Sequence, residues 1–148
     1  MTKKITIAID AMGGENAPSK NIQGLGIFLK KNKTNDFLIQ LYGDKKKIEK
    51  ELSNQKIKSE NILIIHTEAV VSDEETPLTA IKNSKNTSMW NSVKAQIEGN
   101  ADISLSAGNT GVLFVISKMI LKMMKDVSKP ALAGLWPSKK GMSVVLDL

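Results

Sequence analysis

The sequence predicts an α/β fold in three layers, αβα, around a mostly parallel sheet. Two observations carry that expectation. Short β-branched runs recur along the chain, and they alternate with segments whose apolar residues fall at helical spacing. The connections between them hold Gly, Asp, Asn and Pro, as strand–helix turns require. A third observation concerns the end of the chain, where two strand-like runs are joined by a short turn and predict an antiparallel pair added to the sheet.

Residues 4–9 form a short run rich in β-branched residues that ends at Asp10, and they read as a buried strand. Pro18 suits a first helical turn, with Asn16 or Ala17 before it as cap. Ile22, Leu25, Phe28 and Leu29 then share one helical face, and Lys30, Lys31 and Lys33 close the segment. Residues 37–42 predict the second strand, Gly43-Asp44 its turn, and residues 45–52 a short charged helix. Residues 61–66 predict the third strand, and residues 72–87 a polar connection that contains Pro77.

Residues 87–98 predict a helix with Met89, Val93 and Ile97 in register and Gly99 as its end. Residues 101–105 predict the fourth strand, and the helix after it is expected to reach about residue 125. Residues 131–135 and 142–148 predict the last two strands, with Pro137-Ser138-Lys139-Lys140-Gly141 as a hairpin turn. The final apolar run stops without a turn or polar tail, and an open strand edge invites aggregation. The expectation is one domain, residues 1–148, incomplete at its C-terminus; a natural short variant is the alternative.

A length of 148 residues supports a hydrophobic core, and 41% hydrophobic with 24% charged residues argues against disorder. Without cysteine, disulfides, thiolate catalysis and thiolate metal sites are excluded, which fits a reducing cytosol. The net charge is +6, but the chain is only 4% aromatic and carries no nucleic-acid motif, so nucleic acid is not the expected partner. Such a field attracts acidic partners or simply keeps the protein soluble. No targeting segment is read in the first ten residues. The most apolar stretch, residues 112–124, is interrupted by Lys118 and Lys122 and falls short of the roughly 20 apolar residues of a membrane span.

Ligands of open α/β sheets bind at the carboxyl ends of the strands. Two loops suit that position. In Asp10-Ala11-Met12-Gly13-Gly14-Glu15-Asn16, Gly13 and Gly14 permit positive φ and a close backbone approach to a ligand. The spacing is not a dinucleotide fingerprint, and an ordinary turn capped by Asp10 is the alternative. In Ser106-Ala107-Gly108-Asn109-Thr110-Gly111, free backbone N–H groups and a helix dipole make an anion site. Ser106, Asn109 and Thr110 serve equally as helix caps. The Gly-Lys-Ser/Thr ending of a Walker loop is missing.

Weaker candidates surround these loops. His66, the single histidine, reads as a partly buried structural residue, and no metal site is expected. Asp73-Glu74-Glu75 reads as a solvated acidic turn. Lys118, Lys122 and Lys125 share one helical face, either solvent-facing or membrane-facing. Met119, Met123 and Met124 read as core filler. Lys129, before Pro130, reaches an anion or only water.

Four ordered blocks resemble one family. They are Ile7-Ala8-Ile9-Asp10-Ala11-Met12-Gly13-Gly14-Glu15-Asn16-Ala17-Pro18, Ser106-Ala107-Gly108-Asn109-Thr110-Gly111, Pro130-Ala131-Leu132-Ala133 and Val145-Leu146-Asp147-Leu148. Together they resemble the N-terminal part of the bacterial acyl-acyl carrier protein:phosphate acyltransferases. The resemblance implies a fold similar to the isocitrate/isopropylmalate dehydrogenase class and transfer of a fatty acyl group from acyl-acyl carrier protein to inorganic phosphate; a catalytically incomplete fragment of that enzyme, or a phosphate acetyltransferase-like enzyme on the same fold, is the alternative. It also implies no organic cofactor, a homodimer, and peripheral contact with the inner face of the cell membrane. The product would feed a glycerol-3-phosphate acyltransferase.

On that resemblance Gly108, Asn109 and Thr110 bind phosphate, with Ser106, Gly111 and Lys129 around them. Asn109, Asp10 and Lys82 are the expected catalytic residues, and Gly13, Gly14 and Asn16 form the cleft loop. The sequence departs from the family pattern in places. Glu15 stands where the family usually has Asp, and Lys82 and Lys129 stand where it usually has Arg. A lysine keeps the charge but loses the two-pronged grip on phosphate. Lys85-Asn86-Thr87-Ser88-Met89 is a loose version of the family's lysine-aspartate-serine-serine-methionine stretch, and family members are more than twice as long.

Overall fold

The computed structural model describes residues 4–32, 36–72, 74 and 76–146. Lys33, Asp73, Glu75, Asp147 and Leu148, which figure in the expectations above, lie outside the described residues.

β1 (Ile5–Asp10), β2 (Phe37–Gly43), β3 (Ile62–His66) and β4 (Ile103–Ser106) form a four-stranded parallel sheet in the order β3-β2-β1-β4. The chain leaves β1 for β2 and β3 on one side, then returns to place β4 on the other side of β1. Registers run Ile5–Phe37 to Asp10–Tyr42, Ile7–Ile103 to Asp10–Ser106, and Ile39–Ile62 to Gly43–His66.

The two faces follow from the alternation of side chains along a strand. Ile7, Ile9, Phe37, Ile39, Leu41, Ile62 and Ile64 point to one face, where Ile22 and Leu25 of α1 (Ser19–Lys31) and Ile48 of α2 (Lys45–Asn54) cover them. Ala8, Tyr42 and Ile65 point to the other face and meet Ala95 and Ala101. The alanines let α4 (Ser88–Ile97) lie close to the sheet. Beyond it, Met89 and Val93 pack on Val112 and Ile116 of α5 (Thr110–Leu121). The three expected layers are therefore present, with α3 (Pro77–Asn83) against α5 on the outside.

Caps set the helix starts. Asp44 accepts from Lys47 N at 3.1 Å and Thr87 from Trp90 N at 3.2 Å. On the α4 face the Tyr42 hydroxyl donates to Gln40 Oε1 at 2.9 Å, and Gln40 Nε2 donates to Asn100 O at 3.1 Å.

Several expectations need correction. The hairpin of β5 (Ala133–Ser138) and β6 (Gly141–Leu146) is a separate two-stranded sheet, not an extension of the parallel one. Its turn is only Lys139-Lys140, because Ser138 and Gly141 already pair. The polar connection contains α3. The helix α5 stops at Leu121, since Lys122 adopts φ 64°, so Lys122 and Lys125 are not on its face. Met119 and Met124 are 45% and 78% exposed, not core. His66 is exposed, and its Nδ1 accepts from Lys45 N at 3.2 Å, capping α2. Pro18 precedes α1 after a cis Ala17–Pro18 bond, and neither Asn16 nor Ala17 supplies a side-chain cap.

Candidate functional site

The carboxyl ends of β1 and β4 are neighbours at the point where the strand order reverses. There the connections leave in opposite directions and open a crevice, which is where ligands of doubly wound sheets bind. Both glycine-containing loops emerge at this point.

Asp10 ends β1 and is 1% exposed. Its Oδ2 accepts from the Ser106 hydroxyl at 2.7 Å, and its Oδ1 accepts from Met12 N at 3.3 Å. The Ser106 oxygen in turn accepts from Gly108 N at 3.1 Å. A chain of hydrogen bonds thus runs from the first loop through two side chains into the second. The glycines are what let these loops touch. A Cβ on Gly13 would overlap the Asp10 carboxylate and lie 2.9 Å from Ser106 Oγ and 3.0 Å from Gly108 N. One on Gly108 would lie 2.8 Å from Met89 Cε and 3.3 Å from Gly13 Cα. Gly14 sits at φ 91° facing the Ala107 carbonyl.

Asn109 caps α5: its Oδ1 accepts from Val112 N at 3.1 Å. The 12-residue helix behind it directs its positive end at the crevice. Thr110 is exposed at that end, and Gly111 lies close to Pro77 of α3. Beside the loops an apolar groove of about 360 Å³ runs between α1 and β4, along Ile9, Leu25, Phe28 and Leu105 toward Asp10 and Ser106. Arranged this way, the residues offer an anion a helix N-terminus and backbone amides, and offer an aliphatic chain an adjacent apolar surface.

The sequence matches the family described as fatty acid synthesis protein over residues 5–148. The chain belongs to that family. A phosphate acyltransferase of Pelagibacter ubique is 49% identical over 148 residues, which are all of this chain and 43% of that protein. One from Parvibaculum lavamentivorans is 43% identical and one from Bradyrhizobium diazoefficiens 40%, with 41% and 42% of their lengths covered. The chain spans less than half the length of these curated relatives.

Within this fatty acid synthesis protein fold, Asp10, Gly13, Gly14, Ser106 and Gly108 lie together, with Asn109, Thr110 and Gly111 at the adjoining helix end. Asn16 is exposed at the far end of its loop, at φ 57°. Lys82 is exposed in the last turn of α3. Lys129 lines a surface groove with Phe114, Ser117 and Leu121, alongside the later turns of α5 and not at its Asn109 end. Among the described residues no group of His, Cys, Asp and Glu is placed to hold a metal ion, and no helix is long and apolar enough to cross a membrane. Sequence reasoning missed Asn21, whose amide nitrogen lies 3.0 Å from Ala11 O and 2.9 Å from Gly13 O.

Proposed function

We propose that this chain forms the phosphate-binding side of a phosphate acyltransferase, which moves a fatty acyl group from acyl carrier protein to inorganic phosphate. The observation that carries this reading is the junction of the Gly13 and Gly108 loops at the switch point, under the N-terminus of α5. The names of the relatives support it.

Phosphate binds at Gly108, Asn109 and Thr110 against the helix end. One of its oxygens attacks the thioester carbonyl carbon. The new C–O bond forms, the C–S bond breaks, and the carrier's thiol leaves with the proton that phosphate gives up. Phosphate is already a nucleophile near neutral pH, so the protein's work is to orient it and stabilise the oxyanion. Asp10 acts through Ser106, which holds the Gly108 amide in place. Lys82 contributes charge, and the groove beside β4 offers apolar surface to the acyl chain. The wider reading includes a homodimer, peripheral contact with the cytoplasmic face of the membrane, and a glycerol-3-phosphate acyltransferase as consumer of the product.

A second reading is a half-enzyme that binds phosphate without turnover. The apolar surface left uncovered on Ile103 and Leu105 of the edge strand β4, 44% and 50% exposed, favours it for the isolated chain. One assay separates the two. The purified chain is given palmitoyl-acyl carrier protein and phosphate, and acyl phosphate is trapped with hydroxylamine. Phosphate-dependent product supports the enzyme, and phosphate binding without product supports the half-enzyme. If neither occurs, or if Asn109→Ala leaves phosphate dependence unchanged, the assignment is wrong.

A further inference from the structure

Asn21 lies in the first turn of α1 and is half-buried. Its side-chain nitrogen lies 2.9 Å from Gly13 O, 3.0 Å from Ala11 O and 3.5 Å from Asp10 O. All three neighbours are acceptors, so the amide has one sensible orientation, and its two N–H groups match the two short contacts. A helix N-terminus needs acceptors, because its own first N–H groups lack partners. Asn21 presents a donor there. Its amide therefore serves the loop and not the helix that carries it.

We propose that Asn21 is a positioning residue of the site. It clamps the backbone of residues 11–13 to α1, and that backbone holds Gly13 against the Asp10 carboxylate, the Ser106 hydroxyl and the Gly108 amide. Released from Asn21, Gly13 swings free of Ser106 and the second loop loses its backing. The claim rests on the phosphate reading for its ligand, but its structural half is measurable without one.

The test uses the isotope-labelled chain and two variants. Asn21→Leu keeps the size and removes both donors. Gln55→Leu is the control, since Gln55 Nε2 donates to Ser19 O at 3.1 Å and ties the same helix end from outside the site. In Asn21→Leu, amide exchange at Met12 and Gly108 should speed up at least roughly tenfold, while Leu41 and Val93 stay unchanged. Its affinity for inorganic phosphate should fall roughly tenfold, as small misplacements of binding groups do. Gln55→Leu should do neither. Unchanged exchange at Met12 and Gly108 overturns the proposal, and so does acceleration of all amides together. Should the unsubstituted chain ignore phosphate, the functional reading fails and the exchange pattern alone decides for Asn21. If Asn21→Leu does not fold, Asn21→Ser, whose hydroxyl is too short to span the gap, carries the same comparison.

Discussion

The Ser106 hydroxyl donates to Asp10 Oδ2 across 2.7 Å and ties together two strand ends that lie 96 positions apart in the chain. Ser106→Ala takes a partner from a buried carboxylate oxygen and from the Gly108 N–H. The expected loss is about 1–3 kcal/mol of stability, read by urea denaturation. A cycle with Asp10→Asn should return a coupling of about 1–2 kcal/mol. Additive losses would show that the pair is not bonded in solution.

Asn109 has two duties that one substitution can separate. Asp caps a helix as well as Asn does, so Asn109→Asp should keep the bond from Val112 N and most of the helix stability. It also places a negative charge where an anion is to sit, so phosphate affinity should fall more than roughly tenfold. Asn109→Ala should cost about 1 kcal/mol through the lost cap as well. Thermal melts and phosphate titrations of the two variants, run side by side, check this.

How much of this was legible beforehand differs between elements. The four parallel strands were, because β-branched runs bounded by turns mark buried strands whatever surrounds them. So was the place of the two glycine loops at carboxyl ends of strands, but their meeting needed β4 beside β1, an order the sequence does not give. The helix α3 was missed although Thr76-Pro77 carries a start signal: Thr76 Oγ1 accepts from Thr79 N at 3.3 Å, and Thr79 Oγ1 accepts from Thr76 N at 3.1 Å. The polar residues on either side of it hid it. Asn21 was not legible, since helical spacing reports which face a residue takes and not which loop folds back over it. No glycine marks the end of α5, where a lysine takes the left-handed position. The hairpin was legible as two strands and a turn, but strand-like runs do not say which sheet they join or what covers their faces.

That hairpin supplies a third prediction. Leu135 pairs with Val144, and the two are 70% and 65% exposed on a face they share with Met142 and Leu146. Apolar surface of this kind promotes association. Replacing both with Thr should change stability by no more than about 0.5 kcal/mol. It should also reduce concentration-dependent sedimentation. A large loss of stability would mean that the face is covered in solution.

Tyr42, the only tyrosine, gives a pH test. Burial raises its pKa above the ordinary value, and the nearby Glu98 charge adds to the rise. The neutral phenol is therefore the form the fold favours. Its contribution is complete below about pH 10, where the unfolded chain is also protonated. It is lost as pH rises through the folded-state value, because the unfolded chain ionises first. Tyr42→Phe should weaken the fold by about 1 kcal/mol near neutral pH through the bond to Gln40, and should flatten the alkaline decline. Urea titrations on either side of pH 10, with the ultraviolet titration of the phenol, measure both effects.

The placement of β4 has a consequence for the order of assembly. β1 meets β2 after a short excursion of chain, but meets β4 only after one about three times as long. Closing the longer loop costs about 1 kcal/mol more in chain entropy. The β1–β4 seam is thus the slower one to zip and the readier to fray, and the crevice lies on that seam. A half-assembled molecule with β1, β2 and β3 in place would own a core and no crevice. Anything that occupies the crevice latches the seam, so occupancy should register as slower unfolding of the whole sheet.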